Sequence, residues 1–285
     1  MSARRTLRST VSVEGTALHA GGRVRMALSP APPGTGIVFR RIDLSACEIP
    51  ARYDRVSQTR LGTVISDGEG RQVGVIEHLM AAVAGAEIDD LIVELDGPEP
   101  PILEGDALSY LTLLEGAGIE EGDAPRSVLK VLKPVTVQSG EARATLHPAD
   151  AYSFDFEIVF PSPAIGRQTY HWPFSPEGFR AEIAPARTFG FVHELDALNK
   201  AGLGRGASLE NTLAIDGDKV VNASLMRFPD EFVRHKILDA LGDLALAGAP
   251  LVARFEGVRS GHALNNALLR ALFADSANYA WMTPG

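Results

Sequence analysis

Two stretches of this chain carry the same succession of elements, and that likeness constrains the fold more than any single motif does. Glu77–Gly116 reads as helix, strand, Gly-Asp-Ala and helix, and Arg234–Leu272 reads as helix, strand, Gly-His-Ala and helix. The spacing from His78 to Asp106 nearly equals that from His235 to His262, and several strands precede each stretch. An internal likeness of this kind points to a repeated architectural unit, although common elements also match by chance. A helix with one apolar stripe must bury it against another layer. The expected fold is therefore α+β: two similar domains, residues 1–124 and 125–285, each a β-sheet packed against two α-helices. The length of 285 residues suits two modest domains at ~100–200 residues each.

Local patterns fill in this plan. Thr6–Val13, Arg23–Leu28, Gly36–Arg40, Leu61–Ser66 and Leu91–Leu95 read as strands, and Ile76–Ala86 and Ala107–Gly116 as helices. Gly122–Ser127 reads as a linker. Strands resume at Val128–Val137 and Ala142–His147, and Tyr152–Phe160 alternates apolar and polar residues as a half-buried strand does. Val192–Ala201 reads as a helix, Gly202, Gly204 and Gly206 as a flexible connection, and Asn211–Ile215 with Lys219–Val221 as a hairpin. Asp230–Ala247 and Ala263–Ala274 are amphipathic helices around the strand Leu251–Phe255.

Composition narrows the function. Apolar residues at 45% and charged residues at 22% are ordinary for a globular chain. Runs such as Leu79–Ala86 fall short of the ~20 residues a membrane span needs. Arg4, Arg5 and Arg8 precede no apolar run, so no secretory signal is expected. The single cysteine, Cys47, forms no internal disulfide, which fits a reducing cytosol. A net charge of −9 argues against a nucleic-acid partner and leaves room for an anionic small ligand.

The residues that carry chemistry begin with His235 and Asp239, one helical turn apart on one face, with Asp243 extending the stripe. An imidazole and a carboxylate so placed reach a divalent metal, although a partly solvated His–Asp pair has the same spacing. Leu238, Leu241 and Leu244 put the other face in the core, and buried charge calls for a partner or a cation. His78, at the start of the matching helix, offers a third ligand, and Glu77 beside it a base; both also suit an ordinary polar first turn. His262, flanked by Gly261 at the start of the last helix, has the exposure of a site residue or of a plain helix terminus. Thr188, in Arg187-Thr-Phe-Gly-Phe191, could donate to a developing oxyanion or simply end a strand. His19 lies in a turn, His147 and His171 in or beside strands, and His193 at a helix start. Cys47 has no local base, and the chain has neither a Walker loop nor a dinucleotide fingerprint.

Assembled, these stretches resemble the zinc-dependent UDP-3-O-acyl-N-acetylglucosamine deacetylases of lipid A synthesis. The resemblance is carried in order by Leu18-His19, Gly36–Arg41, Ile76-Glu-His-Leu-Met-Ala-Ala82, Asp96–Ile102, Ala186–Phe191, Glu231–Asp239 with Gly242-Asp243, and Ser260-Gly-His-Ala-Leu-Asn-Asn266. It implies removal of the N-acetyl group from UDP-3-O-(3-hydroxyacyl)-N-acetylglucosamine with release of acetate. One catalytic Zn2+ would be held by His78, His235 and Asp239, with Glu77 as general base and His262 as charged acid. Asp243 would orient His262, Thr188 would polarise the amide, and Lys236 would face the sugar and phosphates. Phe160, Phe189 and His19 would contact substrate. The family fold adds a small insert to each domain and places the site between them. The insert near 192–221 would offer an apolar passage for the acyl chain through Leu195, Leu198, Leu203, Leu209 and Leu213, residues that could equally fill a core. The implied protein is a cytoplasmic monomer without a membrane span, touching membrane only through its acylated substrate. A zinc amidase or esterase on another acylated substrate, and a nucleotide-sugar binder without turnover, are the competing readings. Three places depart from the family pattern: Ala20-Gly21 after His19, Glu104-Gly-Asp106-Ala, and Asn222–Phe228.

Overall fold

Alternation in Arg23–Pro30 turns Val24, Met26 and Leu28 inward and Arg23 and Arg25 outward, as a half-buried strand requires. This strand lies in a five-stranded sheet ordered Val11–Thr16, Arg23–Pro30, Leu91–Leu95, Ile37–Arg41, Cys47–Pro50. The computed structural model describes residues 3–283. Leu91–Leu95 runs parallel to Ile37–Arg41 and antiparallel to Arg23–Pro30. The crossover into it carries the helix Glu77–Gly85, against which Leu108–Ala117 packs.

The second half repeats the design around a larger sheet of seven strands. Its centre is Leu251–Val258, which pairs with Ala142–Pro148, Val128–Val131 and Ser153–Val159. Phe154, Phe156, Ile158 and Phe255 are its buried layer. The helix Glu231–Ala245 packs on Ser153–Val159, and His262–Phe273 on Val135–Ser139 and Ala142–Pro148. The fold is thus α+β, with a sheet and two helices in each half. Each half also carries a small three-stranded sheet: Val56–Gln58, Val64–Ser66 and Gln72–Val73 in the first; Phe189–Phe191, Leu213–Asp216 and Lys219–Val220 in the second. No helix among the described residues is long and apolar enough to cross a membrane.

Three elements differ from the sequence reading. Thr6–Val13 is not one strand: Ala3–Leu7 pairs with Ile119–Pro125, while Val11–Thr16 joins the first sheet. The expected linker at Gly122 is therefore largely strand, because the N-terminal segment supplies the partner that local sequence cannot reveal. Arg126 then pairs with Asp89 and Glu87, and Arg4 with Asp90. Val128–Val137 divides into Val128–Val131 and Val135–Ser139; Pro134 lacks the N–H that a continuous strand would donate.

The contact that joins the halves is between Glu77–Gly85 and Glu231–Ala245. A Cβ on Gly242 would lie 2.0 Å from the Glu77 carbonyl oxygen and 3.1 Å from the Ala81 nitrogen. Only a glycine lets the two backbones approach this closely. Gly242→Ala is expected to force the helices apart and cost about 1–3 kcal/mol of stability. Gly116→Ala, in an exposed helical position with open space around it, is expected to gain about 0.5–1 kcal/mol. Denaturant melts of both variants check the contrast; equal stability of the two would contradict the packing account.

Candidate metal centre and acid–base site

His78 opens the first of the two apposed helices, and His235 and Asp239 lie one turn apart on the second. Nε2 of His78 is 3.6 Å from Asp239 Oδ1, and Nε2 of His235 is 3.4 Å from the same oxygen. The three residues offer ligand atoms within 4.8 Å of one another, all on buried side chains. His235 Nδ1 lies 3.0 Å from the Ala186 carbonyl, so it carries the proton and leaves the Nε2 lone pair free. Burial lowers the His235 pKa to about 3, which keeps the ring neutral. Burial opposes the charge on Asp239, but the neighbouring Lys236 ammonium outweighs it and holds the carboxyl well below its usual range. Lys236 Nζ donates to Asp239 Oδ2 at 2.7 Å. A neutral imidazole oriented from behind by a carbonyl, with a second imidazole and an ionised carboxylate, is a donor set that fits a catalytic divalent ion such as zinc.

Beside this triad stand two more titratable groups. Burial raises the Glu77 carboxyl, whose Oε2 accepts from the Thr63 backbone N–H at 2.9 Å. His262 is the first residue of its helix, and its Nδ1 lies 2.8 Å from Asp243 Oδ2. Burial alone would lower its pKa, but the charges of Asp243 and Glu77 push it up to about 10. His262 is thus an imidazolium with Nδ1–H on Asp243 and Nε2 3.9 Å from Glu77 Oε1.

One cavity of about 440 Å³ brings these groups together. Glu77, His78, His235, Lys236, Asp239 and His262 line it, together with Thr188, Phe189, Phe160 and His19. Asp243 sits behind His262. Phe160 packs edge-on to Phe189 at 5.6 Å between centroids, and Lys236 Nζ lies 5.5 Å over the Phe189 ring. Leu195, Leu198 and Leu209 add apolar surface to the lining. Leu213 is instead fully buried in the core, and Leu203 is not part of the wall. Both ring nitrogens of His19 are engaged: Nδ1 accepts from the Gly204 N–H at 3.2 Å, and Nε2 donates to the Leu61 carbonyl at 2.8 Å. The glycines near residue 204 are not simply a flexible joint, because a Cβ on Gly206 would lie 2.2 Å from the Ala17 carbonyl oxygen.

Sequence reading missed several supports. Thr63 and Asn265 both donate to Asp243. Asn265, three residues past His262 on the same helix face, was legible by spacing; Thr63 was not. Glu231, fully buried, accepts from Arg187 N at 3.0 Å and so ties the segment that carries Thr188 to the helix Glu231–Ala245. Two departures from the family pattern meet in space. Asp106 accepts from the Ser109 N–H at 3.0 Å in the turn that enters Leu108–Ala117. Arg227 pairs with Glu104 and Asp106 and donates to the Pro185 carbonyl at 2.7 Å.

Two imidazoles and a carboxylate facing a cleft, with a buried glutamate and an imidazolium beside them, define a hydrolytic metalloenzyme. The family model described as UDP-3-O-acyl N-acetylglycosamine deacetylase matches residues 4–274. Proteins named UDP-3-O-acyl-N-acetylglucosamine deacetylase are similar along nearly their whole length. The one from Phenylobacterium zucineum is 49% identical over 271 residues, 94% of this chain and 92% of the relative. Those from Myxococcus xanthus and Pseudomonas entomophila are each 45% identical, over 97% of this chain and 88% and 92% of the relatives. The chain belongs to the UDP-3-O-acyl N-acetylglycosamine deacetylase family, a family of metalloenzymes.

Metal analysis separates the roles of neighbouring groups. The purified protein is expected to bind one divalent ion, and His235→Ala to lose it. Glu77→Gln, outside the ligand set, is expected to keep it. Full metal content in His235→Ala, read by elemental analysis, would overturn the ligand assignment.

Proposed function

We propose that this protein is a zinc-dependent amide hydrolase that removes the N-acetyl group from UDP-3-O-(3-hydroxyacyl)-N-acetylglucosamine, releasing acetate, in lipid A biosynthesis. The observation that carries the reading is the single cavity in which the His78–His235–Asp239 set, Glu77 and His262 meet apolar lining. The names of the relatives supply the substrate. Acetate release from that substrate, lost on chelation and restored by zinc, is the decisive assay. Release from a simple N-acetyl sugar at the same rate would favour the broader amidase reading. The free, buried thiol of Cys47 supports a cytoplasmic site of action.

When bound, the zinc supplies Lewis-acid polarisation of the amide carbonyl and makes the attacking water acidic. Glu77, buried at the mouth of the triad, takes the proton that water loses as its oxygen adds to the carbonyl carbon. Thr188 donates to the carbonyl oxygen as it gains charge. His262 gives its Nε2 proton to the sugar nitrogen as the C–N bond breaks, and acetate leaves. Asp243 holds the imidazole for this transfer. Lys236 serves the sugar and phosphates, Phe189 and Phe160 the sugar and uracil faces. His19, with both nitrogens committed to the backbone, presents only its ring edge and face to substrate.

The pH profile tests the acid. Asp243 and Glu77 raise the His262 pKa against the effect of burial, and its charged form is the active one, so activity falls as the imidazolium loses its proton on the alkaline side. Asp243→Asn removes a charge that favours the imidazolium. The alkaline limb of kcat/KM is therefore expected to move to lower pH, and an unmoved limb would sever the pair. The limbs report the coupled set rather than single residues.

Chain length tests the apolar lining. Each buried CH₂ is worth ~0.8 kcal/mol, so removing the 3-O-acyl group is expected to lower kcat/KM by a hundredfold or more, on the order implied by several methylenes. Leu198→Asn is expected to shrink that difference with metal content unchanged. Equal turnover of acylated and unacylated UDP-sugars would remove the passage from the account.

A further inference from the structure

Thr63 lies outside every motif that carries the family likeness, yet it touches both members of the acid–base apparatus. It is buried. Its backbone N–H donates to Glu77 Oε2 at 2.9 Å, and its hydroxyl donates to Asp243 Oδ1 at 2.5 Å. Glu77 belongs to the first half, Asp243 and His262 to the second, so Thr63 bridges the seam at the point of chemistry. The other oxygen of Asp243 accepts from His262 Nδ1 and Asn265 Nδ2, both at 2.8 Å. The terminal torsion of an aspartate is broad. Its plane is set only when both oxygens are held, and with it the direction in which His262 points.

The backbone is shaped for this contact. Leu61 has φ 59° and Gly62 φ 145°, conformations that cost free energy in ordinary side-chain-bearing residues. A Cβ on Gly62 would lie 3.0 Å from Glu77 Oε1, so a glycine there gives the carboxylate room. Thr63 is not part of the cavity wall and acts through the groups that are.

We infer that Thr63 is a positioning residue: its amide and hydroxyl fix the distance and orientation between Glu77 and the Asp243–His262 pair. The inference rests on the acid and base roles proposed above. Hydrogen bonds to charged groups are worth ~1.5–3 kcal/mol, which converts to roughly tenfold to hundredfold in rate.

The test compares Thr63→Ser, Thr63→Val and Thr63→Ala in the zinc-loaded enzyme. Thr63→Ser keeps the hydroxyl and is expected to stay close to wild-type kcat. Thr63→Val and Thr63→Ala are expected to lose kcat by about tenfold to hundredfold, with KM and zinc content little changed. Ser and Ala differ by one oxygen, so their comparison survives any failure of the valine variant to fold. On an Asp243→Asn background the hydroxyl is expected to lose most of its effect, since it acts through that carboxylate. A readout independent of turnover is the downfield proton resonance of His262 Nδ1–H in the metal-free protein, assigned by its absence in Asp243→Asn. It is expected to persist in Thr63→Ser and to shift or exchange away in Thr63→Ala. Wild-type kcat in Thr63→Ala, equal losses in Ser and Ala, or a full loss retained on the Asp243→Asn background would each overturn the inference. Absence of acetate release by the wild-type enzyme would instead strike at the proposed function, while the proton resonance would still report on Thr63.

Discussion

The site depends on one backbone contact: the Gly242 position of one helix set against the Glu77 carbonyl of another. Neither helix carries a complete ligand set. His78 and Glu77 come from the first half, His235, Asp239 and Asp243 from the second. Their side chains reach one point only because the helix axes approach as closely as a missing Cβ permits. Most of the other features serve that approach. Leu108–Ala117 packs on Glu77–Gly85, and Ser153–Val159 packs on Glu231–Ala245.

Charge is the second constraint. Glu77, Asp239 and Asp243 are buried together, and such a group is stable only if countered. Lys236 counters Asp239, and the His262 imidazolium lies between Asp243 and Glu77. The same arrangement drives two histidines apart in pKa. Burial dominates at His235 and keeps it neutral, whereas neighbouring carboxylates dominate at His262 and keep it charged. A neutral imidazole suits a metal and a charged one suits a leaving amine, so the proposed division of labour would follow from surroundings rather than residue type.

Polar backbone ties together residues from both halves at the cavity. Gly206 N–H donates to the Leu18 carbonyl at 2.9 Å, and Gly204 N–H to His19. The second-half insert is thereby clasped to a first-half turn, and His19 passes the contact on to Leu61, next to Gly62 and Thr63. Leu61 on the cavity wall and Thr63 on the Asp243 carboxylate thus belong to one short segment.

The sequence by itself determined the repeated α+β plan, the main helices and the ligand types, because helical period and residue chemistry are local. His235 and Asp239 share a face by spacing alone. Its likeness to a known family implied that His78 and His262 join them, and the fold brings all four side chains to one cavity. What it did not determine was every feature made by chain segments far apart. The split of Thr6–Val13 between two sheets, the strand in place of a linker at Gly122, and the burial of Leu213 beneath the cavity depend on distant partners. So does Thr63: a lone threonine after Leu61-Gly62 carries no periodic or motif signal. Only the packing of the halves brings its hydroxyl within hydrogen-bonding distance of a carboxylate from the other end of the chain.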